Sequence, residues 1–221
     1  MTKRITAIVG DFYHDEALAR ESLEKAFGAA ASSGEWTLDF TGTDRILQVL
    51  EEGPAVIVLF KENRLNPQDE QVDMWMDGAV SAAIERYVQG GGAWLAWHAG
   101  LASYAEDSEY IRMLRGYFIS HPPQNKEVRY IPVNTADTGW SAEGFQFLDE
   151  HYFVSCAEES TGVFLRSESE DGSSIGGWRH LHGEGKVCCL APAHRREGLL
   201  AAPFLELLGN CLKWCAEPGK E

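Results

Sequence analysis

Apolar and β-branched stretches recur along the first half of the chain and alternate with segments whose apolar residues are spaced for a helix. The run Ala55–Phe60 has no polar residue, which is typical of a central parallel strand covered on both faces. Strands are predicted at Arg4–Gly10, Trp36–Thr41, Ala55–Phe60 and Ala93–Trp97. Helices are predicted at Ala17–Ala31, from Thr43 or Asp44 to Glu52, at Asp77–Gln89 and at Ser108–Leu114.

The alternation weakens after Gly116. Three more strands and a closing amphipathic helix are predicted there, at Glu127–Val133, Gly162–Ser167, Lys186–Leu190 and Ala202–Cys215. The polar segment Lys61–Met76 is predicted to form a loop over the sheet. Because strand–helix alternation produces parallel sheets with right-handed crossovers, we expect a three-layer α/β fold, a mostly parallel sheet with helices on both faces. Residues 1–221 suffice for one domain and are short for two.

Charge and composition narrow the range of partners. The net charge of −15 repels phosphate backbones, so no nucleic-acid partner is expected. No stretch approaches the ~18–20 uncharged apolar residues that a membrane span needs, so no membrane partner is expected either. Asp11 interrupts the first apolar run before it could serve as a signal peptide, which needs ~7–15 apolar residues, and we therefore expect a cytoplasmic protein.

The cysteine pattern argues against disulfide bonds. The number of cysteines is odd, and the sequence has no C-x-x-C motif. Core packing is the favoured interpretation of all the cysteines. The five are Cys156, Cys188, Cys189, Cys211 and Cys215.

Histidines follow several of the predicted strands. Ligands of parallel α/β sheets bind beyond the carboxyl ends of the strands, and those ends converge in space. The histidines at such positions are His14, His98, His121 and His194, and a further one, His151, adjoins the acidic pair Asp149-Glu150. One histidine is more often a structural residue than a catalyst, but several at the ends of one sheet point to a site.

The string Gly90–Ala99, which reads GGGAWLAWHA, resembles the signature of ThuA-like proteins, which are associated with trehalose utilisation. Other pieces resemble the family in order: Tyr13-His14-Asp15, Gly116-Tyr117-Phe118 with His121-Pro122, Asp149-Glu150 with Tyr152, Trp178 with Gly183 to Val187, His194 and Trp214. The resemblance covers nearly the whole chain. The chain departs from the family pattern at Ala193, which replaces the usual glycine before His194.

The resemblance implies a flavodoxin-like fold of the class I glutamine amidotransferase-like superfamily. It also implies carbohydrate utilisation, with trehalose or a related keto-disaccharide as the substrate class. Enzymes of that superfamily place a nucleophilic cysteine in the turn where this chain has His98. Glutamine hydrolysis is therefore not expected, and the scaffold is expected to serve another chemistry.

Two kinds of chemistry remain open for the histidines. In the first, His98, His121 and His194 bind a divalent metal, zinc, manganese or iron, with an oxygen from Glu150 or Asp149. In the second, the catalytic set His98, His121, Glu150 and His194 performs acid–base catalysis without a metal. The sequence lacks a compact ligand motif such as H-E-x-x-H, which favours the second.

Substrate contacts are expected from Tyr13, His14 and Tyr152, which lie beside the polar motifs. A non-catalytic sugar-binding or interaction module on a decayed amidotransferase-like fold is the alternative to an enzyme. Homo-oligomer formation stays open. The pair His180 and His182 could bind a metal if it lay on a strand, but a polar surface hairpin is the favoured interpretation.

Overall fold

The structure is a computed structural model, and it describes residues 3–31, 36–134, 140 and 143–217. Within those ranges the strands are β1 Lys3–Val9, β2 Trp36–Phe40, β3 Val56–Phe60, β4 Ala93–Trp97, β5 Gly116–Ser120, β6 Lys126–Pro132, β7 Phe145–Asp149, β8 Phe153–Cys156, β9 Gly162–Ser169, β10 Gly172–His182 and β11 Gly185–Leu190. The α-helices are α1 Glu16–Ala31, α2 Ile46–Glu52, α3 Gly78–Gln89, α4 Glu109–Leu114, α5 Arg196–Leu199 and α6 Ala202–Ala216.

Nine strands form one sheet in the order β2-β1-β3-β4-β11-β10-β9-β6-β7. The first five are parallel to one another, and the last four extend the sheet in antiparallel fashion. Strands β5 and β8 pair separately. The expected fold class, a mostly parallel sheet between two helical layers, is therefore confirmed for the part of the sheet that carries the histidines.

Side-chain alternation along the central strands builds two cores. On one face Val58 of β3 and Trp97 of β4 pack with residues of α1 and α6 such as Leu23 and Phe204. On the other face alternate residues of the same strands pack with α2, α3 and α4. Because both faces are covered, every residue of β3 and β4 is buried, as the uninterrupted apolar runs predicted.

The predicted start of the second helix was wrong. Thr43 and Asp44 lie inside a short 3-10 helix, Thr43–Arg45, and α2 begins at Ile46 without a cap from either residue. Strands β5, β7, β8 and β10 were missed, because they are antiparallel and partly exposed, so polar residues interrupt their apolar pattern.

The buried cysteines agree with the expectation of core packing. Cys188, Cys189, Cys211 and Cys215 are buried, Cys156 is half-buried, and all five are free thiols. Within the described residues, none of the helices is both long and apolar enough to cross a membrane.

His180 is buried on β10, so the expectation of a surface hairpin was wrong for this residue. Its Nε2 donates to the carbonyl oxygen of Met113 at 2.9 Å, and its Nδ1 is buried without a partner among the described residues. Burial lowers the pKa of His180 to about 4, and only the hydrogen bond to Met113 opposes this. The ring is therefore held neutral in the folded protein at neutral pH.

Replacing His180 with glutamine is expected to flatten the pH dependence of stability. The folded-state pKa of about 4 lies below the ordinary value of 6.5, so the unfolded chain takes up the proton first as the pH falls. Between pH 7 and pH 5 the wild type should lose about 2 kcal/mol more unfolding free energy than His180→Gln. Urea unfolding at the two pH values measures this.

The matched control is His182→Gln, which changes a less buried histidine on the same face of the same strand. An equal pH dependence in the wild type and His180→Gln would contradict the assignment of a buried neutral ring.

Candidate functional site

Four side chains meet beyond the carboxyl ends of the strands. His14 follows β1, His98 follows β4 directly, Glu150 follows β7 directly, and His194 lies four residues after β11. One potential ligand atom from each, a ring nitrogen or a carboxylate oxygen, lies within 4.8 Å of all the others. We call these four residues the imidazole–carboxylate cluster.

The imidazole rings of the cluster contact one another closely. Ring centroids of His14 and His194 lie 4.9 Å apart, those of His14 and His98 5.3 Å, and those of His98 and His194 5.4 Å. The Oε2 atom of Glu150 lies 3.7 Å from Nε2 of His98 and 3.6 Å from Nδ1 of His194. His98 is fully buried, His14 is buried, and Glu150 and His194 are half-buried, so the cluster opens to solvent on one side.

Hydrogen bonds outside the cluster fix two of the rings. Nδ1 of His98 donates to the carbonyl oxygen of Ala191 at 2.6 Å, because a carbonyl can only accept. Nδ1 of His14 lies 2.6 Å from Oδ1 of Asp11, and because a carboxylate accepts, Nδ1 carries the ring proton of His14 too. In both rings Nδ1 is thus the outer nitrogen. The inner Nε2 atoms of both rings face the cluster, and in the neutral tautomer fixed by these hydrogen bonds Nε2 is the nitrogen with the lone pair.

The inward-facing nitrogens are without hydrogen-bond partners. Nε2 of His14, Nε2 of His98 and Nδ1 of His194 are all buried, and no other described residue bonds to them. Buried polar atoms are otherwise nearly always paired, so three unpaired nitrogens in one place indicate a site that a ligand completes. Three ring nitrogens beside a carboxylate are a suitable environment for a cation or for a shared proton.

The turn after β4 positions His98 in the cluster. His98 has a φ of 45°, a left-handed conformation that is uncommon outside glycine, and it begins the short 3-10 helix His98–Leu101. This sharp turn holds the ring above the end of the sheet. It also brings Gly100 against β3, where a Cβ atom would overlap the carbonyl oxygen of Leu59. Gly100 is therefore required by packing and not by its φ angle.

The electrostatics favour unprotonated ligands at neutral pH. Burial raises the pKa of Glu150, but the His98 imidazole 3.7 Å away, with the charges of His194 and His121, outweighs burial and lowers it to about 2. Burial lowers the pKa of His194 to about 4, and neighbouring imidazoles add to this effect, while the Glu150 carboxylate opposes it. Near pH 7 the site thus offers a carboxylate anion and a neutral His194 ring.

Asp149 has a different environment from its neighbour Glu150. It is fully buried, its Oδ1 accepts from the backbone N–H of His194 at 2.8 Å, and its Oδ2 accepts from the hydroxyl of Tyr130 at 2.7 Å. Burial raises its pKa, and these hydrogen bonds offset the rise only in part. Of the two acidic candidates, Glu150 faces the cluster, and Asp149 holds the loop that carries His194.

His121 lies outside the cluster. It is exposed, its Nδ1 lies 2.7 Å from the carbonyl oxygen of Pro122, and its ring stacks at 6.1 Å from that of Tyr152. His14, which we expected at the pocket edge as a substrate contact, occupies the place among the imidazoles that we expected for His121. The difference arises because His121 ends the separate two-stranded sheet, whereas His14 follows a strand of the main sheet.

Two tyrosines predicted to contact substrate lie at different depths. Tyr152 is buried and stacks on His98 with centroids 3.9 Å apart. Tyr13 is 43% exposed and accepts a hydrogen bond from Gln68 at the rim. His151 faces away, with its ring nitrogens bonded to Ser169 and Ser167.

Sequence reasoning missed Asp11 and Glu62. Asp11 accepts from the ring of His14 through Oδ1 and from the backbone N–H of Glu62 through Oδ2. The signal for Asp11 was available in its position two residues after β1 and three residues before His14. Glu62 lies in a segment that we read only as a polar loop.

A family model described as ThuA, trehalose utilisation, matches residues 8–215. A search of curated proteins found no match. The family match covers all four residues of the imidazole–carboxylate cluster.

Solved structures resemble the chain over nearly its whole length. A ThuA-like protein of Parabacteroides merdae has a TM-score of 0.74 at 13% identity, covering 100% of this chain and 93% of that one. A ThuA-like protein of Bacteroides uniformis has a TM-score of 0.70 at 17% identity, with coverages of 97% and 91%. A cytoplasmic protein of Salmonella typhimurium has a TM-score of 0.62 at 13% identity, with coverages of 97% and 99%. At these identities the likeness shows the fold alone, which is flavodoxin-like.

Proposed function

Because this chain belongs to the ThuA family, described as trehalose utilisation, we propose that it is a metal-dependent enzyme of carbohydrate utilisation. Its metal would be a divalent zinc, manganese or iron ion held by His14, His98, Glu150 and His194. Its substrate would be trehalose or a related keto-disaccharide. Within this proposal the protein works in the cytoplasm on a small sugar, and its acidic surface makes nucleic acid an unsuitable partner.

One observation carries the proposal: three buried imidazole nitrogens face one carboxylate and lack partners among the described residues. The ligand atoms of a tetrahedral ion with bonds of about 2.1 Å are about 3.4 Å apart. The separations in the cluster, up to 4.8 Å, need to shorten by at most about 1.4 Å to reach that value. Nitrogen ligands with one carboxylate suit zinc, manganese and iron better than calcium or magnesium, which prefer oxygen.

The surrounding residues prepare the cluster for this role. Asp11 and the carbonyl of Ala191 keep protons on the outer nitrogens of His14 and His98, so that the inner nitrogens are free to bind. Tyr152 covers one face of His98 and shields it from water. A bound divalent ion would act as a Lewis acid on a carbonyl or hydroxyl oxygen of the sugar.

A metal-free acid–base mechanism is the second candidate. It is favoured by the position of Glu150 between His98 and His194 and by the lowered pKa of His194, about 4, which leaves that ring a free base at neutral pH. In this mechanism His194 would accept a proton from the substrate and Glu150 would stabilise the resulting imidazolium. The two candidates differ in their response to removal of metal.

The test is turnover of trehalose and keto-trehalose by chelated protein and by protein reloaded with zinc, manganese or iron. The metal proposal predicts that product forms only after reloading. Full turnover in chelator would favour the acid–base mechanism instead. Saturable binding by calorimetry without any product in either state would favour the sugar-binding module over both enzymes.

Replacing Asp11 with asparagine is expected to weaken metal binding by roughly 10- to 100-fold. The substitution removes the charge that holds the outer proton of His14 while keeping the size of the side chain. Competition with a chromogenic chelator measures the affinity. Asp15→Asn is the matched control, since Asp15 lies in the same turn and its side chain accepts from the backbone N–H of Leu18 and not from a histidine of the cluster. Equal affinities in Asp11→Asn and the wild type would contradict the assigned role of Asp11.

A further inference from the structure

Glu62 is a buried carboxylate beside the imidazole–carboxylate cluster that the proposed chemistry does not use. It follows the carboxyl end of β3 by two residues and is 1% exposed. Its backbone N–H donates to Oδ2 of Asp11 at 2.9 Å, and Oδ1 of the same Asp11 holds the ring of His14. Glu62 and His14 are therefore fixed to one common anchor.

The two oxygens of Glu62 have very different environments. Oε2 accepts from Nε of Arg64 at 2.7 Å and from the hydroxyl of Ser103 at 2.7 Å, and it lies 2.6 Å from Nη2 of Arg64. Oε1 is buried and has no partner within the described part of the chain. Arginine–carboxylate pairs are frequently bidentate, with one nitrogen on each carboxylate oxygen. Here both guanidinium nitrogens approach one oxygen and leave the other available.

Glu62 lies beside the cluster, because the Asp11 carboxylate that holds the ring of His14 also accepts from the backbone N–H of Glu62. Its free Oε1 atom is therefore a buried, unpaired acceptor separated from an imidazole of the cluster by one side chain, that of Asp11. Ser103 lies five residues after His98 in the chain and has a φ of 68°. Because its hydroxyl donates to Oε2 of Glu62, the segment that follows the β4 turn also orients Glu62.

We propose that Oε1 of Glu62 accepts a hydrogen bond from a hydroxyl group of a polyhydroxylated ligand bound at the cluster, and so determines specificity for a sugar. Arg64 and Ser103 are positioning residues that aim this oxygen. An ionised carboxylate is a strong acceptor, and a ligand lacking the hydroxyl would leave it buried and unpaired. The inference rests on the proposed function and adds to it the residue, Glu62, that recognises a sugar hydroxyl.

The experiment is calorimetric titration of the full chain with trehalose and with each monodeoxy-trehalose. In the wild type, one deoxy analogue should bind roughly 10- to 100-fold more weakly than trehalose. In Glu62→Gln, which keeps the size and presents an amide, trehalose should bind about as weakly as that analogue does to the wild type. The discrimination between the two ligands should then disappear, which a merely structural role would not cause.

Two further variants make the result interpretable. Ser103→Gly keeps the positive φ and removes one donor to Oε2, so trehalose should bind roughly 3- to 10-fold more weakly. It tests the same claim if Glu62→Gln does not fold. Glu158→Gln, which alters a carboxylate paired with Arg166 in an exposed salt bridge, should bind every ligand as the wild type does.

Discrimination that persists unchanged in Glu62→Gln, or a wild type that binds all the analogues equally, would overturn the inference. A wild type that binds no sugar would overturn it too, while metal content would still decide the proposed function separately. If the protein binds trehalose with selectivity that depends on Glu62 and yet binds no metal, the inference survives and the metal proposal fails.

Discussion

His98→Asn is expected to lower kcat/KM by on the order of 10³-fold or more and to abolish tight metal binding. The substitution removes the inward Nε2 atom, and a Lewis acid contributes several kcal/mol to the stabilisation of a transition state. Asparagine tolerates the φ of 45° better than most residues, so the turn after β4 should persist. Circular dichroism and thermal unfolding verify the fold, and metal content and turnover of keto-trehalose measure the effect.

His121→Asn is the matched comparison for this experiment. His121 is exposed and lies outside the imidazole–carboxylate cluster, so its variant should retain the metal content of the wild type. Loss of metal from His121→Asn, or its retention by His98→Asn, would show that the ligand set differs from the imidazole–carboxylate cluster.

Gly100→Ala is expected to cost about 3 kcal/mol of unfolding free energy and to impair the site at the same time. A Cβ atom at this position would overlap the carbonyl oxygen of Leu59, a backbone atom of the central strand β3 that cannot move aside. Overpacking of this kind costs typically 1–3 kcal/mol and sometimes more. The 3-10 helix that begins at His98 would have to shift, so metal affinity should fall together with stability.

Gly28→Ala provides the control for the same chemical change. Gly28 lies within α1, and a Cβ atom there would meet nothing within 4 Å. Alanine is the better helix former by up to about 1 kcal/mol, so this variant should be as stable as the wild type or more stable. Chemical denaturation of both variants measures the contrast. A Gly100→Ala protein with wild-type stability and metal affinity would contradict the close approach of the turn to β3.

The parallel half of the fold could be predicted from the sequence because its strands are buried on both faces. Ala55–Phe60 and Ala93–Trp97 are short continuous apolar runs, which are typical of strands covered by helices on either side. The antiparallel extension could be predicted less well, because each face of a strand such as β10 meets a different environment. Glycines and serines in β10 further dilute its strand pattern.

The candidate site could be predicted in part, by the rule that ligands lie at the carboxyl ends of parallel strands. That rule led to His98 and His194, whereas Glu150 was proposed through the family resemblance because its strand β7 was not predicted. It could not rank His14 against His121, because both follow strands and only the pairing of those strands places them differently. The role of Asp11 depends on which ring nitrogen it faces, and sequence spacing alone does not specify that.

The most direct test is the metal content of the purified protein and of two variants, measured by elemental analysis after reloading and dialysis. The wild type is expected to hold one divalent zinc, manganese or iron ion per chain, and Glu150→Gln and His14→Gln are expected to hold far less. A wild type that keeps no such ion after reloading would contradict the assignment of His14, His98, Glu150 and His194 as its ligands. Stoichiometric metal that is equally retained by both variants would contradict it as well.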